Sequence, residues 1–219
     1  MTDLRRGWKR DWQNMKRPLA AIALCGVVVT GLQGCVEMAI GGAVVGTLAA
    51  TDRRTFGAQT EDKAILLKGE SRASKAVGDQ GHVNVASFNR KVLLTGEVKD
   101  DATKAAVEKE IAAIEGVQSI VNELAVSGNS SFGSRSSDAL ITGKVKASFV
   151  DAKDLYANSI KVVTERGVVY LMGRVTQREG QVGSDVARGV SGVNKVVKIF
   201  EYISEEEMRA LSPTKSVQL

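Results

Sequence analysis

One stretch of this chain occurs twice, and that repetition limits the fold more than any other feature. Val83-Asn-Val-Ala-Ser-Phe-Asn-Arg-Lys-Val-Leu-Leu-Thr-Gly96-Glu-Val98 reappears as Ile160-Lys-Val-Val-Thr-Glu-Arg-Gly-Val-Val-Tyr-Leu-Met-Gly173-Arg-Val175, at a constant offset of 77 residues. A glycine-valine pair follows each copy, Gly116-Val117 and Gly192-Val193, and an alternating apolar run follows each pair. Duplication at this period means two small modules, each building one supersecondary unit.

Each copy carries the same order of local signals. A helical stretch opens it, Asp62 to about Val77 in the first and Asp138 to about Ala152 in the second, with Ser136, Ser137 and Asp138 as candidate caps. Two strand-like runs follow, and in the second copy Arg166-Gly167 between them reads as a tight hairpin turn. A second helix spans about Ala102 to Ile114, its counterpart about Arg178 to Val190, and the runs 117–126 and 193–202 supply a third strand. The expectation is an α+β chain of two modules, each with two helices and three strands in the order α-β-β-α-β. Their bounds are 61–128 and 136–203, joined by a linker at 129–135 within the glycine-serine stretch Ser127–Ser137 and followed by a tail at 204–219. Such a linker lets the modules reorient unless they dock. The tail extends a helix through Met208 to Leu211, ended at Ser212-Pro213.

The N-terminal end points to export. Leu32-Gln33-Gly34-Cys35 resembles a bacterial lipobox, preceded by Lys16-Arg17 and by an apolar run from Leu19 to Thr30 that has signal-peptide rather than membrane-spanning length. Residues 1–34 are read as a lipoprotein signal with Met15 as the economical start, Cys35 as the lipid attachment residue, and 35–60 as a lipidated tether. More than one acyl chain on Cys35 is what stable anchoring requires. Val36 rather than aspartate after the cysteine favours, by the sorting rule this resemblance implies, the periplasmic face of the outer membrane.

Processing changes the composition. Residues 1–34 hold Arg5, Arg6, Lys9, Arg10, Lys16 and Arg17 against Asp3 and Asp11, so +4 of the chain's +5 leaves with them. A mature chain of net +1 gives no electrostatic argument for nucleic acid. Trp8, Trp12 and Cys25 are removed too, so the mature protein has no tryptophan and no internal disulfide.

The paired cores Val92-Leu93-Leu94-Thr95-Gly96-Glu97-Val98 and Val169-Tyr170-Leu171-Met172-Gly173-Arg174-Val175, each followed by Gly-Val, resemble BON domains. Two of them behind a lipobox are similar to the dual BON-domain lipoproteins of the Gram-negative envelope, relatives of the osmotically inducible periplasmic BON proteins. The resemblance implies that each module is a three-stranded mixed sheet packed on two helices, used for lipid binding in support of outer-membrane integrity. It implies no catalysis.

The residues themselves agree. His82 is the sole histidine, and no His, Cys and carboxylate set has metal-ligand spacing, so no catalytic residue, metal site or cofactor is assigned. Asp100-Asp101 is read as a helix cap. Residues 61–128 carry 9 basic and 11 acidic side chains, residues 136–203 carry 10 and 7, which makes the second module the better match for anionic headgroups. On its first helix, Ile141, Val145, Ser148 and Phe149 share a core face, while Leu140, Gly143, Lys144, Ala147 and Val150 form a second, apolar strip beside Lys146 and Lys153. That strip suits phosphatidylglycerol or cardiolipin, and the resemblance implies a phospholipid contact on this helix. Two other readings stand beside it: Leu140, Ala147 and Val150 pack against the first module, or the protein is a scaffold docking envelope machinery such as the β-barrel assembly complex. The matching helix of the first module, with Lys68, Gly69 and Glu70 after Ile65, Leu66 and Leu67, is a poorer membrane face.

Overall fold

In the computed structural model, residues 52–128, 130–152 and 155–211 are described; residues 1–34, read as a signal, and Cys35, and with them Lys153 and the end of the tail, lie outside these. The first module comprises α1 (Phe56–Val77), β1 (His82–Phe88), β2 (Lys91–Val98), α2 (Asp101–Ala112), β3 (Ser119–Asn122) and β4 (Ala125–Val126). The second comprises α3 (Phe132–Asp151), β5 (Ile160–Glu165), β6 (Val168–Val175), α4 (Gln177–Arg188) and β7 (Lys195–Tyr202), followed by α5 (Glu205–Leu211).

In each module an antiparallel hairpin, β1–β2 or β5–β6, pairs on its second strand with a parallel strand that returns after a helix. Both hairpins close through two residues of positive φ, Asn89-Arg90 (49° and 64°) and Arg166-Gly167 (53° and 72°), the tight turn that matches strand twist. The repeated glycine of the core motif has a steric reason. A Cβ at Gly96 would lie 2.0 Å from the His82 carbonyl oxygen, and one at Gly173 2.4 Å from that of Ser159, so no other residue lets the two strands approach this closely.

Three elements differ from the sequence reading. Both opening helices begin about six residues earlier than expected, at Phe56 and Phe132, capped by Thr55 and Ser131 rather than by Ser136, Ser137 or Asp138. The linker stretch from Phe132 onward is therefore helical; its serines face solvent or cap, and helix geometry costs them little there. The single third strand expected over 117–126 is two short strands, β3 and β4, both parallel to β2 and separated at Glu123-Leu124, where Leu124 turns into the core at 2 % exposure. By contrast α2 is capped as read, with the Asp100 carboxylate accepting from the Thr103 N–H at 2.7 Å.

Each module has its own core between helices and sheet. In the first it is built on Ile65, Val92, Leu94, Val107 and Ile111, in the second on Ile141, Val145, Phe149, Val169 and Leu171. A third apolar cluster joins the two: Ala86, Phe88 and Leu93 of the first sheet meet Tyr170, Met172 and Ile199 of the second. Strand alternation explains this, because Leu93 and Tyr170 point away from the helices while Val92, Leu94, Val169 and Leu171 point toward them. The modules thus dock sheet to sheet, with their helices outward.

Candidate functional site

The sequence-selected strip lies on α3. Asp138, Ile141, Val145 and Phe149 fill the side facing the sheet, each buried to 5 % exposure or less. Leu140, Gly143, Lys144, Ala147 and Val150 are all exposed, Leu140 at 68 % and Val150 at 74 %. These two therefore do not pack on the first module, which meets the opposite face of the second sheet. Phe132, 80 % exposed, adds an aromatic to the same strip eight residues before Leu140. From Phe132 to Val150 the strip runs for about 27 Å along the helix axis at 1.5 Å per residue. Sequence reasoning placed Phe132 in the linker and missed it. The signal was present, since Ser131-Phe132-Gly133 repeats Thr55-Phe56-Gly57.

No helix among the described residues is long and apolar enough to cross a membrane. Nor do any three His, Cys, Asp or Glu side chains among them gather to hold a metal. His82 opens β1 at the edge of the sheet, partly exposed.

Polar contacts frame the docked sheets. Asn84 Nδ2 donates to Glu165 Oε2 at 2.7 Å, Asn89 Nδ2 to Glu201 Oε2 at 2.7 Å, and Lys161 Nζ to the Ser87 carbonyl at 3.1 Å. Burial pushes the Glu165 carboxyl up despite the Asn84 bond, and the neighbouring Glu97 and Asp138 charges add to that. Burial likewise lowers Lys161 and carries the Tyr170 phenol up to about 12.

The strongest cross-module tie was not read from the sequence at all. Arg53, 4 % exposed, lies just before α1 yet reaches the second module. Its guanidinium forks onto Glu179 at 2.6 and 2.7 Å, donates to the Arg174 carbonyl at 3.0 Å, and lies 5.4 Å from the Tyr156 ring centre. Glu179 also closes the capping box of α4 with Thr176. Burial pushes the Glu179 carboxyl upward, but the Arg53 and Thr176 bonds outweigh it and hold it below its ordinary range.

Comparison with known proteins agrees with this architecture. The BON domain profile matches residues 63–128 and 137–203. The chain belongs to the BON-domain family. It is 39% identical over 189 residues to the outer membrane lipoprotein DolP of Haemophilus influenzae, covering 85% of this chain and 97% of that one. It is 31% identical over 154 residues to a 21 kDa hemolysin of Actinobacillus pleuropneumoniae, covering 69% of this chain and 79% of the relative. A solved structure of CdsD, a structural protein of the type III secretion system of Chlamydia trachomatis, aligns over 64% of this chain and 95% of its own at 11% identity and a TM-score of 0.28, too low to argue from. The chain is thus a DolP-like dual BON lipoprotein, and the outer-membrane placement of that relative agrees with a lipid-anchored protein of the outer membrane. Neither relative is named as an enzyme.

Proposed function

We propose that this protein is held at the periplasmic face of the outer membrane by acyl chains, palmitate among them, on Cys35, exposed by signal cleavage after residue 34. There it reads anionic phospholipid with α3 and supports envelope integrity without performing chemistry. The observation that carries the reading is an outward helix face where Leu140 and Val150 stand exposed beside Lys144 and Lys146, with a packed core behind and no module over them. Burying a leucine or valine side chain fully is worth about 1.5–3 kcal/mol. Each nearby lysine adds about 1 kcal/mol at an anionic surface. Gly143 and Ala147 keep the strip flat, so the helix can lie along the headgroup boundary.

The test uses the chain carrying Cys35→Ser, so that α3 is the remaining contact, titrated with phosphatidylglycerol and with phosphatidylcholine micelles while amide NMR shifts are followed. Shifts confined to 140–150 in the anionic series support the reading. Equal response to both lipids, or none, defeats it and favours a protein partner.

A further inference from the structure

The internal repeat makes each module a template for the other, and one site is built differently in the two. In the first module Asp62 organises the hairpin turn. Its carboxylate accepts the Asn89 and Arg90 N–H groups at 2.7 and 2.8 Å, the Ser87 hydroxyl at 2.6 Å, and the Arg54 guanidinium at 2.7 Å. Arg54, directly before the Thr55 cap, lies with its Cζ 4.3 Å from the Phe88 ring centre, so its guanidinium fills the corner between helix start and turn.

In the second module Asp138 stands 76 positions on and performs the same task, accepting the Arg166 and Gly167 N–H groups at 2.8 Å each. Among the described residues no side chain donates to it. The residue before the Ser131 cap is Ser130, too short to reach where Arg54 reaches. That corner is instead a solvent-open cavity of about 570 Å³, lined by Glu97, Ser130, Ser131, Ser137, Asp138 and Asn194 among others. Both carboxylate oxygens of Glu97 and the hydroxyl of Ser130 are buried there with no hydrogen-bond partner among the described residues, and Glu97 is 1 % exposed. Arg166, the cation on this lining, points its Nη1 to the Ser127 hydroxyl at 3.4 Å. A buried carboxylate with no donor is destabilising unless a cation or proton meets it.

We infer that this cavity receives an arginine side chain presented by a partner polypeptide, in the place that Arg54 occupies in the first module. The planar fork of a guanidinium meets two carboxylates and a hydroxyl at once, which an ammonium cannot. Asp138, Glu97 and Ser130 supply those acceptors. The helix dipole opposes a cation here, as it does at Arg54, where a single buried carboxylate and Asp52 outweigh it. This inference does not depend on lipid binding by the outer face of α3.

The Cys35→Ser full chain titrated with N-acetyl-arginine amide tests it by NMR. Expected are saturable shifts at the amides of Ser130, Ser131, Gly167 and Asn194, with the neutral N-acetyl-citrulline amide at least tenfold weaker. Ser130→Arg, which places the first module's own side chain in the corner, abolishes the shifts and raises the melting temperature. Glu97→Gln, which keeps shape and removes charge, weakens binding at least fivefold. An absent response, an equal response to citrulline amide, or binding unchanged in both variants overturns the inference. Free arginine binding as tightly as the capped amide overturns the assignment to a polypeptide, because its carboxylate would then have to sit beside Glu97 without cost.

Discussion

Replacing Arg53 by alanine tests how the two modules are held together. The guanidinium is 3 % exposed and makes two short bonds to a carboxylate that is 8 % exposed, so neither charge has water to fall back on. Removing one partner of such a pair typically costs 3–5 kcal/mol, mostly because the other charge stays buried. Arg53→Ala also forfeits the bond to the Arg174 carbonyl and the contact with Tyr156. Glu179 keeps only its Thr176 N–H, at 2.9 Å. A loss of at least about 3 kcal/mol is expected at pH 7, a melting temperature lower by roughly 6 °C or more for a unit of this size. The sign with pH follows from the lowered carboxyl: its contribution is present above the ordinary glutamate range and disappears as pH falls through the depressed folded value. Wild type and Arg53→Ala therefore converge as pH falls through that depressed value. Calorimetry of Arg53→Ala, Glu179→Leu and the double variant gives the coupling. A loss below about 1 kcal/mol for Arg53→Ala, or no coupling in the cycle, refutes the claim that this pair is closed against solvent.

Other sites give sharper or opposite signs. Gly96→Ala drives a Cβ into the His82 carbonyl at a backbone φ of 113°, and a destabilisation of roughly 3 kcal/mol or more is expected by denaturant melts. Gly143→Ala meets nothing within 4 Å on an exposed helix turn and should stabilise by about 0.5–1 kcal/mol. Glu165→Gln removes a carboxyl whose folded value is raised, so the contribution of Glu165 to stability is fully present below the ordinary glutamate range and is lost as pH rises through the folded value; the variant should lack that loss and be more stable than wild type at pH 7. Because residues 35–219 hold no tryptophan, Leu140→Trp in a chain of those residues provides a membrane reporter, and its emission should shift to the blue with phosphatidylglycerol vesicles and stay put when Lys144→Glu and Lys146→Glu are added.

What the sequence disclosed followed periodicity and special backbone geometry. The Arg166-Gly167 turn, the glycine of each core motif and the Asp100 cap were legible because each residue type answers a local requirement. The inward face of α3 was legible too, as Ile141, Val145 and Phe149 recur at helical spacing. The seam between the sheets was harder to see. Its one trace is the loss of alternation in Val92-Leu93-Leu94 and Val169-Tyr170-Leu171-Met172, where both strand faces are apolar because both are covered. Arg53 left no trace, since a lone arginine in a polar exit segment looks the same whether it meets water or a buried carboxylate 126 positions away. The early start of α3 was hidden by serine, which reads as linker until a cap bond, here from the Ser134 N–H to the Ser131 hydroxyl, is seen.

The seam has one further consequence, because its contacts are nearly twofold. Asn84 of the first module reaches Glu165 at the end of the second hairpin, and Lys161, the repeat equivalent of Asn84, reaches Ser87 at the end of the first. Glu165 is itself the equivalent of Phe88. If two copies of the second module met through the same faces, each Lys161 would therefore stand opposite a Glu165, a charge pair that the natural seam lacks. Tyr170, Met172 and Ile199 would find the same apolar faces on the copy. The second module's own core is complete without the first, so the isolated module should fold. It should then dimerise through the bared sheet, as sedimentation would show, and Lys161→Glu should return it to a monomer by setting like charges opposite one another. A wild-type module that stays monomeric at millimolar concentration would mean that apolar match and charge alone do not drive these sheets together. Docking in the whole chain would then rest on the Arg53 tie and on the short connection between the modules.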